Sequence, residues 1–135
     1  MGNASGENPV RVVMIDDDPD MVKAIRGMLK TDGIQVLEAF SGLKGYALVK
    51  RELPDAVLLD IMMPDIDGFE VMRKLKLDPE TGHIPVIFVS AKAGLEHVRK
   101  GLSLGAHGYV TKPFKPDELV AEIRGAIGGQ PETRR

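Results

Sequence analysis

The sequence predicts an α/β protein with an open, doubly wound parallel sheet of five βα units, (βα)5. Five short runs that are apolar on both faces alternate with longer amphipathic segments. Such strands, each followed by a helix, are typical of a parallel sheet covered on both sides. Five units are too few to close an eight-unit barrel, so an open sheet is favoured. The predicted strands are VRVVMI (10–15), IQVLEA (34–39), AVLL (56–59), PVIFV (85–89) and GYVT (108–111).

The segments between the strands carry the spacing and the end signals of helices. After the last strand, Leu119, Ile123 and Ile127 recur at four-residue intervals. Gly45 lies inside the second predicted helix and costs up to about 1 kcal/mol relative to Ala, so this helix is expected to be soft. Residues suited to begin a helix stand where the pattern requires them, at Pro19 or Asp20, Ser41, Asp67 and Pro116 with Asp117.

Length and composition fit a single domain with no dominant charge. The chain has 135 residues and a net charge of −2, which gives no global attraction to nucleic acid or anionic membranes. The absence of Cys excludes disulfides, thiolate metal sites and cysteine nucleophiles. No run reaches the length of a membrane span, and a cytoplasmic protein is expected. We expect one domain over 9–127, a flexible N-terminal extension (1–8) and a flexible C-terminal tail or linker remnant (128–135).

Polar residues directly follow four of the predicted strands. Asp16 and Asp17 follow the first strand, Asp60 the third, Ser90 the fourth and Lys112 the fifth. Because parallel strands end at one edge of the sheet, these side chains should converge there. Clustered carboxylates resist ionisation unless a cation lies among them, and Mg²⁺ prefers oxygen ligands and readily shares a phosphate. The edge therefore predicts a site for phosphoryl transfer.

The chemistry of such a site suggests a division of roles. Asp60 is the candidate nucleophile, because a carboxylate can attack phosphorus and form an acyl phosphate. Asp16 and Asp17 are the better metal pair. Lys112 would bind a phosphoryl oxygen through its charge, and Ser90 could donate a hydrogen bond to another.

Four motifs in order resemble the receiver domain of two-component response regulators, the CheY-like superfamily. They are MIDDDPD, LLDIMMPDIDG, PVIFVSA and GYVTKPF, within a likeness that runs from Val10 to about Ile127. The intervals also resemble those of the family, with 43 positions from Asp17 to Asp60, 30 from there to Ser90 and 22 more to Lys112. Four ordered motifs are far more specific than any one alone.

The resemblance implies a fold and a set of site residues. The fold would be flavodoxin-like with strand order 2-1-3-4-5. Asp60 would be the phosphoacceptor and Lys112 the phosphate-binding lysine, and the Lys112–Pro113 peptide bond after the fifth strand would be cis. The switch pair would be Ser90 and Tyr109. Mg²⁺ (or Mn²⁺) would be held by a set comprising Asp16, Asp17, Asp60 and the backbone carbonyl of Met62.

The resemblance also implies partners and a mode of action. A sensor histidine kinase or histidine phosphotransfer protein would donate the phosphoryl group. Phosphorylation would then repack the face formed by the fourth helix (95–104), the fifth strand and the fifth helix (117–127), where a downstream effector binds and a phosphorylation-dependent homodimer could form. No output domain, direct nucleic acid contact or membrane contact is expected in this chain. Self-phosphorylation from small donors and self-dephosphorylation would be slow, so the protein is not expected to act as an enzyme.

Other interpretations of the same residues remain open at this point. DIDGF (65–69) imitates the nucleophile motif of haloacid dehalogenase-like phosphatases, but that motif needs its first Asp directly at a strand end, a place that Asp60 holds. A phosphatase that turns over phosphate esters through an aspartyl phosphate remains the alternative function. Asp16, Asp17 and Asp18 could instead be a solvated cap cluster, and for Asp18 capping is favoured over metal binding. Tyr109 alone would be an ordinary half-buried aromatic residue.

Overall fold

A computed structural model describes residues 9–128, so the predicted extension and, apart from Gly128, the predicted tail lie outside the described residues. Five parallel strands form one sheet in the order β2-β1-β3-β4-β5, which confirms the predicted fold class and strand order. The elements are β1 (Val10–Ile15), α1 (Pro19–Lys30), β2 (Ile34–Ala39), α2 (Gly42–Glu52), β3 (Ala56–Leu59), α3 (Gly68–Leu77), β4 (Val86–Ser90), α4 (Leu95–Ser103), β5 (Gly108–Thr111) and α5 (Pro116–Gly128).

Four of the five predicted strands have the predicted bounds, and β4 is displaced by one residue. The sequence placed this strand at 85–89, but it begins at Val86 and ends at Ser90. Pro85 has no N–H to donate to a ladder and lies before the strand. Ser90 pairs with Thr111 of β5 and therefore belongs to the sheet. The difference moves the predicted hydroxyl residue from after the strand to its last position.

The core consists of two apolar clusters, one on each face of the sheet. α1 and α5 cover one face, where Ile25, Leu29 and Ile123 pack on Leu58 and other strand residues. α2 and α3 cover the other face, with side chains such as Val49. Helices on both faces explain why the strands are apolar all round. No helix within residues 9–128 has the length and apolar character needed to cross a membrane.

The starts of the helices agree with the sequence signals. Asp18 is the N-cap of α1 and accepts hydrogen bonds from the backbone N–H groups of Asp20 and Met21. Ser41 caps α2, and Asp67 caps α3 by accepting from the N–H of Glu70 at 2.9 Å. Each cap satisfies amides that have no partner inside their helix. Asp18, which the sequence favours as a cap, therefore has that structural role.

Gly45 has a packing function that its helix propensity does not reveal. It lies in the part of α2 that faces β1, and a Cβ at this position would stand 2.5 Å from Cδ1 of Ile15. Ile15 is fully buried, so there is no space into which its side chain can move freely. The glycine lets α2 lie close against the sheet.

Candidate functional site at the carboxyl edge of the sheet

Four neighbouring strands end next to the residues that the sequence singles out. Asp16 and Asp17 follow β1, Asp60 follows β3, Ser90 ends β4 and Lys112 follows β5. The strands are parallel and adjacent, so their carboxyl ends share one edge. This is the edge at which open α/β sheets bind ligands.

Three carboxylates form a cluster at this edge. One oxygen from each of Asp16, Asp17 and Asp60 lies within 4.8 Å of the others. Asp16 is only 1% exposed and Asp60 7%, whereas Asp17 is exposed. The backbone fixes the two buried residues, because the N–H of Asp16 donates to the carbonyl of Ala39 and that of Asp60 to the carbonyl of Ile15. The cluster thus has two buried carboxylates and one that is open to solvent.

Lys112, which follows β5, contacts both buried carboxylates. Its Nζ lies 2.8 Å from Oδ2 of Asp16 and 3.4 Å from Oδ2 of Asp60. Burial lowers the pKa of Lys112, but the hydrogen bond to Asp16 and the charges of both carboxylates outweigh this effect and raise the pKa above its usual value. The ammonium group therefore stays charged. The Lys112–Pro113 peptide bond is cis, which confirms that prediction.

The surroundings of Asp16 have opposing effects on the pKa of its carboxyl group. Burial raises its pKa above the usual value, although the hydrogen bonds from Lys112 and from the N–H of Asp18 act in the opposite direction. The charge of Asp60 raises the pKa further. Two carboxylates that repel each other in this way are stabilised in their charged forms by an added cation.

Ser90 and Tyr109 both contact the backbone of Lys92, in the loop between β4 and α4. The hydroxyl of Ser90 accepts a hydrogen bond of 3.1 Å from the N–H of Lys92, and the hydroxyl of Tyr109 donates to the carbonyl of Lys92. The ring of Tyr109 is half-buried, with its centroid 5.8 Å from that of Phe88. Burial raises the pKa of Tyr109. The two predicted switch residues are therefore linked through one loop residue.

The loop between β3 and α3 lies close against the end of β3. Gly68 donates its N–H to the carbonyl of Ile61 at 2.7 Å, and a Cβ on Gly68 would stand 2.1 Å from the carbonyl oxygen of Asp60. Only glycine permits this approach. The side chain of Met62, within the loop, is 59% exposed.

Sequence reasoning missed the function of Asp65 in this loop. Its two carboxylate oxygens accept hydrogen bonds from the N–H groups of Gly42 and Leu43, at 2.9 and 2.8 Å. No local signal could have found this contact, because its partners are more than 20 positions away in the sequence. Asp65 and Asp67, the two acids of the DIDGF motif, are thus both occupied as caps of helices.

Comparison with known proteins gives the family. The family model described as response regulator receiver domain matches residues 12–124. The chain belongs to this family. Its resemblance to the receiver domain of two-component systems, first seen in four sequence motifs, is therefore confirmed.

Curated relatives of this receiver domain differ greatly in length. Protein PilH of Pseudomonas aeruginosa is 40% identical over 119 residues, which cover 88% of this chain and 98% of PilH. Response regulator PleD of Caulobacter vibrioides is 40% identical over 114 residues, covering 84% of this chain and 25% of PleD. The DNA-binding dual master transcriptional regulator RpaA of Synechocystis is 37% identical over 117 residues, which cover 87% of this chain and 48% of RpaA. The chain spans less than half the length of the last two relatives.

Solved receiver domains have the same architecture. The receiver domain of the Francisella response regulator 1452 superposes with a TM-score of 0.82 at 31% identity and covers 90% of this chain and 98% of that one. A CheY-like receiver domain protein from Methanospirillum hungatei superposes with a TM-score of 0.83 at 29% identity and covers 93% of this chain and 99% of that one. The receiver domain described here is thus similar to whole solved chains.

Proposed function

We propose that this receiver domain accepts a phosphoryl group on Asp60 from a phosphohistidine of a sensor histidine kinase or a histidine phosphotransfer protein. The observation that carries the proposal is the contact of the Lys112 ammonium with both Asp16 and Asp60, at 2.8 and 3.4 Å, in a cluster of three carboxylates. A carboxylate nucleophile beside a fixed cation has the nucleophile and the charge that phosphoryl transfer requires.

The donor set of the cluster fits Mg²⁺ (or Mn²⁺). Three carboxylates and one ammonium leave two negative charges uncompensated among these four side chains, which equals the charge of a divalent cation. All the available ligands are hard oxygens, as Mg²⁺ prefers. Asp16, Asp17 and Asp60 would hold the ion together with the backbone carbonyl of Met62. When bound, the ion would neutralise charge that develops on the phosphoryl oxygens.

The transfer itself needs no further side-chain base. An oxygen of Asp60 attacks phosphorus, the P–N bond to the donor imidazole breaks, and the electron pair of that bond leaves with the imidazole. Lys112 is close enough to Asp60 to move from the carboxylate to a phosphoryl oxygen. The product is an aspartyl phosphate, which adds negative charge and acceptor oxygens beside Ser90.

The contacts of Lys92 support a switch. In the structure, the N–H of Lys92 donates to the Ser90 hydroxyl, while its carbonyl accepts from Tyr109. When Ser90 turns to donate to a phosphoryl oxygen, this connection is lost and the loop before α4 is free to rearrange. Tyr109 then fills the space that Ser90 has left, and the surface of α4, β5 and α5 changes.

The changed surface is the proposed contact for a downstream effector or a second phosphorylated copy. α4 presents two exposed apolar side chains, Leu95 at 63% and Leu102 at 45% exposure, which suits a protein partner. We also propose that residues 9–127 form the complete receiver unit.

The decisive experiment is phosphorylation of the Asp60→Asn variant. Wild-type protein incubated with Mg²⁺ and acetyl phosphate should gain the mass of one phosphoryl group, and the variant should gain none, because an amide oxygen is a far weaker nucleophile than a carboxylate. Asp55→Asn, which changes an acid at the opposite edge of the sheet, is the control and should label normally. Normal labelling of Asp60→Asn would refute the assignment.

The same preparation tests the alternative of a haloacid dehalogenase-like phosphatase. Such an enzyme would release phosphate from an ester such as p-nitrophenyl phosphate many times per molecule, whereas a receiver is modified about once. The capping contacts of Asp65 and Asp67 argue against the alternative, because neither acid of the DIDGF motif is free to act as its nucleophile. Sustained turnover that persists in highly purified protein would favour the phosphatase.

A further inference from the structure

The segment 62–66 of the β3–α3 loop has few hydrogen bonds to the rest of the molecule, although the side chains of Met63 and Ile66 pack against the apolar core. It begins two residues after Asp60 and contains the Met62 carbonyl, the proposed backbone ligand of the metal. Within residues 9–128, its hydrogen bonds to other secondary-structure elements are the two accepted by Asp65 from α2. The sheet ladder ends before this segment, and the N-cap of α3 begins after it. The polar contacts of the segment with another element therefore come from Asp65, beside the apolar packing of Met63 and Ile66.

The contact of Asp65 with α2 is a favourable one. Both carboxylate oxygens accept from successive N–H groups at the first turn of the helix, at 2.9 and 2.8 Å. Charge-assisted hydrogen bonds of this kind are roughly twice as strong as neutral ones, and a negative charge is favoured at a helix N-terminus. Consistent with this, the backbone N–H of Leu43 above all lowers the pKa of Asp65, to about 2.

Packing beside this contact makes the geometry specific. A Cβ on Gly42 would lie 2.6 Å from a side-chain carbon of Ile66 and 3.0 Å from the backbone oxygen of the same residue. The N-terminus of α2 therefore lies directly against the segment. Asp65 provides the polar contact at this junction and Ile66 the apolar one.

We infer that Asp65 is a positioning residue for metal binding: by joining the β3–α3 loop to the N-terminus of α2, it holds the Met62 carbonyl where it can complete the metal shell. Asp65 itself does not touch the ion. Residues that orient metal ligands commonly affect affinity without being ligands. This inference rests on the proposed function, because it assumes the metal site at Asp16, Asp17 and Asp60.

The test compares Asp65→Ala with Asp65→Asn and with the wild type. Mg²⁺ affinity is measured by titration followed through backbone amide NMR shifts, and labelling by acetyl phosphate is measured across a range of Mg²⁺ concentrations. Asp65→Ala should weaken Mg²⁺ binding about ten-fold, the low end of the range for residues that orient ligands. Its labelling rate at saturating Mg²⁺ should equal that of the wild type, because the reacting groups are unchanged.

The Asp65→Asn variant distinguishes a positioning effect on Mg²⁺ affinity from an effect of charge alone. The amide keeps one acceptor oxygen for α2 but loses the negative charge, so a positioning effect predicts an affinity between those of the wild type and Asp65→Ala. A purely Coulombic effect predicts that both variants are equally weakened, and that the loss largely disappears at an ionic strength of about 1 M, where the Debye length is about 3 Å. Either of these results would overturn the inference.

Asp55→Ala is the matched control. It also removes a carboxylate that accepts from a distant backbone N–H, that of Arg11 at 2.9 Å, but at the opposite edge of the sheet. Unfolding in urea is measured for every variant, and Asp55→Ala should lose stability without losing Mg²⁺ affinity. Unchanged Mg²⁺ affinity in Asp65→Ala would contradict the inference alone, whereas absence of Mg²⁺ binding in the wild type would remove the proposed function as well.

Discussion

Asp78 joins α2 to the loop that follows α3. Its Oδ2 accepts a hydrogen bond of 2.7 Å from the hydroxyl of Tyr46 and lies 2.8 Å from the Nζ of Lys50. The hydrogen bond from Lys50, followed by that from Tyr46, lowers the pKa of Asp78 to about 2. The same contact raises the pKa of Tyr46. The lowered pKa favours the carboxylate form of Asp78, and the raised pKa favours the protonated hydroxyl of Tyr46 that donates to it.

Stability should therefore depend on the protonation of Asp78. Because its pKa is depressed on folding, its contribution is fully present above the unfolded value of 3.8 and is lost as the pH falls towards about 2. Asp78→Asn should lower the urea midpoint at neutral pH and flatten the dependence of the midpoint on pH within this window. Glu80→Gln, which alters an exposed partner of Lys50 at 3.7 Å, should change little. An unaltered pH dependence in Asp78→Asn would contradict this account.

At the scale of secondary-structure elements, the sequence predicted the bounds of four strands because each is an apolar run ended by turn residues or a charge. The prediction for β4 was displaced by one residue, since hydrophobicity does not report which residue of β5 pairs with Ser90. Caps such as Ser41 and Asp67 were predictable because a cap and its amides lie within three residues. The cap supplied by Asp65 was not, because its partners come from another element.

Gly45 in α2 allows a test of packing against helix propensity. Gly45→Ala should gain up to about 1 kcal/mol in propensity but lose about 1–3 kcal/mol through overpacking against Ile15. We therefore expect a net fall in the free energy of unfolding, measured in urea. Gly27→Ala in α1 is the control, because nothing lies within 4 Å of the added Cβ, and it should stabilise the protein. Equal stabilisation by both substitutions would show that α2 can move away from β1.

At the scale of the whole molecule, one sheet separates two apolar cores. Adjacent residues of β3 belong to different cores, since Leu58 packs with α1 and α5 and Leu59 packs with α2 and α3. The strands are continuous through both cores, so neither face can lose its order while the sheet stays intact. The two cores should therefore unfold together.

Truncation of either core should affect the whole chain. Leu58→Ala and Leu59→Ala each remove a fully buried side chain and should cost about 2–5 kcal/mol. Tyr46 and Tyr109 both pack on the face that contains Leu59, so their fluorescence reports on that core, while circular dichroism reports on all helices. Both variants should give coincident midpoints by the two methods. Separate midpoints in Leu58→Ala would show that the cores are independent.

The sequence predicted which residues of the candidate site lie together at the strand ends, but it did not predict the contacts between their side chains. Motif order indicated which side chains meet at the edge of the sheet. The sequence did not reveal that Lys112 contacts Asp16 more closely than Asp60, or that Ser90 and Tyr109 share Lys92. Such contacts depend on the twist of the sheet and the path of loops, which no local pattern determines.

The ion pair between Asp16 and Lys112 joins positions 96 residues apart in the sequence. A ribosome synthesises the acidic turn early and the lysine only after the fifth strand, so a nascent chain has the proposed nucleophile long before it has the proposed phosphate-binding cation. An interrupted translation product that ends before Lys112 would lack the complete proposed site. The order of synthesis would thus delay the proposed phosphorylation until almost the entire domain exists.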